Sequence, residues 1–293
     1  MIEKYYNGVI EQVAGGIGNV EHNSILVRYS NDFSIWDLES VNHYKDQTDI
    51  FFTCHEFSYN KIAEAYEPYL GLIRQMFHKY CSGTLEEFME ECDVYKLQRP
   101  VFESYFEKGF CERTEQILID EVEYEQERMH SSIVTMLQKL SEICPIVIVL
   151  NRFQLASKST MQLTNRLLQT KNKNIGIVLG VNDVQSIPEF AHEEWDAICE
   201  SMDDRNMVYH IGNAGRNMEP DVMDYYSDYE SDDGYRKLNN LVYFLDFDQA
   251  DHHLSKIERR IKFDNFTISE KKHYQLLLLQ ICLLYTSPSP RDT

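Results

Sequence analysis

A three-layer α/β domain with a mainly parallel sheet is the fold class this sequence predicts. Three observations carry it. Short, continuous apolar runs occur at Ile50–Thr53, Ile146–Leu150 and Ile175–Val181, the pattern of strands buried on both faces. Amphipathic segments with apolar residues at three- and four-residue steps separate them. The two kinds of segment alternate, which is the order of a wound α/β fold.

Residues 2–14 read as a helix, with Ile2, Tyr5, Tyr6, Val9, Ile10 and Val13 on one side, and the glycines of Ala14–Asn19 end it. Ser24–Val27 is a short strand and Asp37–Tyr44 a helix. After strand Ile50–Thr53, Lys61–Tyr80 reads as one long amphipathic helix through Ile62, Ala65, Tyr69, Leu72, Ile73, Met76 and Phe77. Thr84–Cys92 and Ile117–Ile143 follow as helices, and Glu121–Arg128 is a charged, solvated face. Strand Ile146–Leu150 runs through a polar turn into a helix bearing Met161, Leu163, Leu167 and Leu168. Strand Ile175–Val181, helix Pro188–Met202 and strand Val208–Ile211 complete a domain expected over residues 1–215.

The composition then shifts. Glu219–Asp233 holds seven acidic residues and no basic one, so residues 216–236 are expected as an exposed acidic loop or linker. Its spacing does not fit an EF-hand. Residues 237–281 read as helical, with a helix pair at Ala250–Phe263 and Ser269–Ile281, the expected start of a repeat array. Residues 282–293 (CLLYTSPSPRDT) resemble the in-frame translation of a sequencing-library adapter, so they are expected to be a non-native tail and the chain a truncated front half.

The 293 residues carry 48 acidic and 28 basic side chains, a formal net charge of −20. Such a surface repels phosphates and anionic lipid, which argues against nucleic-acid or membrane partners for this portion. Protein partners are expected instead; the oligomeric state is not set by the sequence. Seven cysteines are scattered without a CxxC pair, as in reduced cytoplasmic proteins. The N-terminus lacks a signal core, and no run approaches the ~18 apolar residues of a membrane span.

Several constellations invite chemistry and do not sustain it. Gly15–Gly18 precedes a strand and completes no GxGxxG, so it reads as a turn. His252 and His253 are adjacent, so they leave a helix in different directions and read as a solvated face. Cys54 and His55 read as packing, and Ser131 and Ser132 lack elbow glycines.

The element order resembles that of the signal-transduction ATPases with numerous domains, a branch of the P-loop, AAA-related superfamily. The likeness covers roughly residues 1–215 and rests on order and pattern more than on identity. Aligned to the phosphate loop of that family, Ile25–Leu38 places Tyr29, Asp32 and Ser34 on the glycines, Ile35 on the lysine and Trp36 on the metal-binding Ser/Thr. Ile50–Phe77 follows the next strand, its Cys, and the helix opening with aromatics and Pro. In Ile146–Thr160, Asn151 and Arg152 replace the acidic pair, Leu155 a Trp and Ser157 an Asp. Asn182 or Asp183 takes the sensor position. The strand–loop–helix unit of residues 25–41 is expected beside strand Ile146–Leu150.

A phosphate loop needs glycine backbone freedom, a Lys against the phosphates and a hydroxyl on Mg²⁺. With all of these and the Asp replaced, the resemblance implies a degenerate nucleotide pocket (Tyr29, Asp32, Ser34, Ile35, Trp36, Asn151, Asp183) that does not hydrolyse Mg·ATP. Phe33, Ile35 and Trp36 are expected to fill it. No catalytic or metal-ligating residue and no cofactor is expected. The function implied is a non-catalytic regulatory or scaffolding module of a bacterial multidomain signalling protein, with a diguanylate cyclase or helix-turn-helix output beyond the chain. A residual ATP-binding switch and an unrelated α/β enzyme are the alternatives.

Overall fold

The computed structural model describes residues 2–18, 23–30, 34–45, 49–58, 61–109, 122–170, 172–182, 187–203, 208–211, 232–244, 246–261 and residues 275, 276, 278 and 279. Five strands form one sheet: β1 (Ser24–Tyr29), β2 (Phe51–Glu56), β3 (Ile146–Asn151), β4 (Ile175–Asn182) and β5 (Val208–Ile211). Their order is β2-β3-β4-β1-β5, and every neighbouring pair is parallel.

The helices are α1 (Ile2–Gly15), α2 (Glu39–Lys45), α3 (Tyr69–Tyr80), α4 (Leu85–Glu91), α5 (Arg99–Lys108), α6 (Val122–Ile143), α7 (Lys158–Gln169), α8 (His192–Asp203), α9 (Asp232–Tyr243) and α10 (Phe247–Ile261). The two-residue repeat of a strand divides the core. Val27, Val147, Val149 and Val178 face Tyr6, Val9, Ile10 and Val13 of α1 and Val41 of α2. Leu26, Ile148, Leu150, Ile177 and Leu179 face the apolar sides of α3, α6, α7 and α8. Two unequal helical layers therefore enclose the sheet.

β4 is buried along its whole length, and its unbroken apolar run suits the middle of the sheet. It lies between β1 and β3, so the unit of residues 25–41 is not directly beside β3 as the sequence suggested. The unit itself is present, but its helix is divided. Ser34 caps a 3-10 turn, Ile35–Asp37, and α2 starts only at Glu39.

The long helix expected over Lys61–Tyr80 begins at Tyr69. Pro68 has no N–H to continue a helix backwards, its peptide bond with Glu67 is cis, and Tyr66 takes a φ of 59°. Apolar spacing across 62–65 reflects burial of Ile62, Ala63 and Ala65 in the core without helical geometry. Helix α5 has no counterpart among the elements expected from the sequence. Proline is compatible with a first helical turn, and Gly109, at φ 80°, closes the other end.

The helical pair near residue 250 also differs from expectation. Helix α9 starts at Asp232, inside the stretch read as an acidic loop. Its Leu238, Leu241 and Val242, with Phe244 and with Ala250 and Leu254 of α10, belong to the same core as α3 to α8. The segment packs on the α/β domain. Most of the expected helix 269–281, the rest of the acidic stretch and residues 282–293 lie outside the described residues. Among the described residues, no helix is long and apolar enough to cross a membrane.

Candidate functional site

The chain leaves β1 through the 3-10 turn and α2, on the α1 face. It leaves β3 through α7 and β4 through α8, both on the opposite face. Neighbouring strands β1 and β4 thus send their continuations to opposite sides. Such a switch point opens a crevice at the carboxyl ends of the strands, the usual ligand position in open α/β sheets. Tyr29, Asn182, Asn151 and Glu56 are the last residues of β1, β4, β3 and β2, so four of them converge there.

Two of them are tied together. The Tyr29 hydroxyl donates to Asn151 Oδ1 at 2.7 Å, and both side chains are fully buried. The bond spans β4, which it crosses at Gly180; Val27 of β1 is the register partner of Gly180. A Cβ at Gly180 would stand 2.5 Å from Asn151 Oδ1 and collide with the Tyr6 hydroxyl. Glycine is thus required here for the close approach of two polar side chains, Asn151 and Tyr6, rather than for a special φ. The Tyr6 ring meets the Tyr29 ring edge-on, 6.5 Å between centroids. Burial, reinforced by Tyr29, Cys54 and Glu56, raises the Tyr6 phenol well above its ordinary pKa, so Tyr6 stays neutral. Among the described residues the Asn151 Nδ2 amide has no hydrogen-bond partner, an orphan donor of the kind that costs about 1–3 kcal/mol.

The turn after β1 is closed by a carboxylate of the chain itself. Glu56 Oε2 accepts from the Ser34 hydroxyl at 3.2 Å and from the Ile35 backbone N–H at 3.4 Å. Glu56 Oε1 pairs with Arg152 Nη1 at 3.4 Å, and both side chains are mostly buried. Arg152 follows β3 in the left-handed region, φ 52°. An anion therefore does sit on the donors of the turn, but it belongs to β2. On the other side, the Asn182 N–H donates to Gln154 Oε1 at 3.4 Å, joining the end of β4 to the turn after β3.

The residues predicted for a degenerate pocket fare differently. Tyr29, Ser34, Ile35, Asn151 and Asn182 do gather at the switch point. Asp32, Phe33 and Asp183 lie outside the described residues. Trp36 does not fill the pocket: it is 52% exposed, while Ile35 is fully buried among the α1-side residues. Successive side chains leave a 3-10 turn about 120° apart, so with Ile35 turned into the core Trp36 is carried out to the surface. Sequence reasoning missed Glu56, Arg152 as its partner, Tyr6 and Gly180. Only the isolated glycine inside an apolar strand was a signal.

The remaining constellations are structural. His253 is buried and His252 half-buried, both against Phe190, so they are not the solvated face expected. Cys54 and His55 project from opposite faces of β2. His55 Nε2 lies 3.6 Å from Glu67 Oε1, and burial with Lys61 nearby lowers its pKa to about 4. Ser132 donates to Gln98 and Ser131 accepts from Arg166. Among the described residues, no three His, Cys, Asp or Glu side chains group as a metal site would require.

No family model, no curated protein and no solved structure matches the chain.

Proposed function

We propose that the chain is a non-catalytic regulatory or scaffolding module of a signalling protein, built on a P-loop NTPase-like frame. One observation carries this reading. The crevice at the switch point, where a nucleotide's phosphates would need free backbone donors and a cation, is already occupied from within. Glu56 takes the Ser34 and Ile35 donors and the Arg152 charge. Tyr29 and Asn151 clasp across Gly180. A carboxylate in that place repels phosphate, and Ile35 offers no side-chain charge in return.

The reading assigns function to surfaces instead of to the crevice, and the acidic excess favours protein partners with basic faces. A nucleotide-responsive switch is the second reading, supported by the switch-point location alone. Calorimetric titration of the chain with Mg·ATP to millimolar concentration separates the two. The non-catalytic reading expects no saturable heat and no phosphate release above buffer. Saturable binding, or turnover abolished by Asn151→Ala, overturns it.

A further inference from the structure

The first turn of α7 has its backbone donors satisfied by two different parts of the chain. The Ser157 hydroxyl accepts from the Thr160 N–H at 3.2 Å, an ordinary N-cap. The two preceding donors are met from about ninety residues away. Lys158 N–H donates to Gln249 Oε1 at 3.2 Å, and Ser159 N–H to the Asp246 carboxyl at 3.1 and 3.3 Å. Gln249 also donates to the Ala63 carbonyl at 3.3 Å. Asp246 opens α10: its carbonyl accepts from Ala250 N–H, and its own N–H donates to the Leu241 carbonyl. The junction of α9 and α10 is thus pinned to the start of α7 through one carboxyl and one amide.

The Asp246 carboxyl is almost completely buried, 1% exposed. The groups acting on it come from every element around it. Lys158 of α7 favours its charge, Glu194 of α8 opposes it, and the Tyr66 phenol ahead of α3 lies within its field. From α10, Asp248 holds the same Lys158 at 3.0 Å, while Glu194 holds it at 3.5 Å. From α9, Lys237 acts on the neighbouring Glu67. Lys158 is thus shared among acids, and among the described residues no cation pairs with the buried carboxyl alone.

We propose that Asp246 is a proton-operated latch: protonated, it holds the α9–α10 junction on the first turn of α7, and ionised, it loosens that junction. A protonated carboxyl keeps a carbonyl oxygen to accept the Ser159 N–H while avoiding the cost of a buried charge. Burial first, against the Ser159 hydrogen bonds and Lys158, raises this acid to about 7. Released to solvent, it would titrate near the ordinary value of about 3.9. The docked state therefore binds the extra proton between those two values. Opening grows as pH rises through that window and levels off above about 7.

Hydrogen exchange of the full chain between pH 5 and pH 8, corrected for the intrinsic pH dependence of amide exchange, tests this. Protection of the Lys158, Ser159 and Ala250 amides is expected to fall about tenfold per pH unit up to about 7 and then flatten. Asp246→Asn keeps an acceptor without a titrating proton and should abolish the slope. Glu194→Gln removes the opposing charge and should move the plateau to lower pH, which provides a test even if the Asp246 variant does not fold. Protection independent of pH in the unaltered chain, an unchanged slope in Asp246→Asn, or an unmoved plateau in Glu194→Gln overturns the proposal.

Discussion

The Tyr29 hydroxyl and the Asn151 side-chain carbonyl meet at 2.7 Å across an intervening strand, with no solvent at either group. The bond fastens the carboxyl ends of β1 and β3, which are not neighbours. Tyr29→Phe should therefore leave the Asn151 amide with neither of its polar atoms satisfied. A loss of about 1–3 kcal/mol is expected, read as a lower urea midpoint at unchanged slope. Asn151→Leu, which replaces the orphan amide as well, should restore part of that loss in the Tyr29→Phe background.

Gly180→Ala places a methyl group against Asn151 Oδ1 and the Tyr6 hydroxyl. Overpacking of this kind costs about 1–3 kcal/mol. The Tyr6→Phe change removes the oxygen that the methyl would strike. The double variant should then be more stable than the sum of the two single losses, and a double-mutant cycle on urea midpoints measures that coupling.

These two predictions concern residues whose roles are hidden in the sequence for a definite reason. Strands β3 and β4 are legible because burial on both faces demands unbroken apolar runs. A contact between residues 29 and 151 depends on which strand lies between them, and hydropathy carries no information on strand order. The same holds for Glu56, whose meeting with Ser34 follows from β2 lying at one sheet edge while the β1 connection passes over the α1 face. Helix Lys61–Tyr80 failed at Pro68, where missing donor chemistry outweighed apolar spacing. Trp36 failed because apolar size was read without the direction its turn imposes.

Glu56→Ala should uncover the donors of Ser34, Ile35 and Arg152. Wild-type protein has these occupied by its own carboxylate. The variant should lose stability in low-salt buffer and regain part of it with millimolar sulfate beyond any gain seen in wild type. Thermal melts at constant ionic strength, with chloride as the control anion, check this. Equal sulfate responses in the two proteins would contradict the assignment of Glu56 as an internal anion.

His130 is buried, and burial with Arg166 nearby lowers its pKa to about 4 from an ordinary 6.5. The unfolded chain then binds more protons than the folded chain between those values. Stability from this group is complete above about 6.5 and is lost as pH falls toward 4. His55 acts in the same direction, and Asp246 in the opposite one. The difference between wild type and His130→Gln isolates the single group. It should change by about 1.4 kcal/mol per pH unit within that window and be constant above it, as measured by urea unfolding at a series of pH values.

The α7 cap supplied by Gln249 and Asp246 bears on where this protein can be cut. A chain stopped after α8 and β5, at the acidic stretch that looks like a natural seam, would carry α7 with two bare amides and a core missing Leu238, Leu241 and Phe244. The smallest piece that is self-sufficient therefore includes α10. Helices α9 and α10 therefore belong to the folding unit of α3 to α8, and those earlier helices receive these partners only late in synthesis.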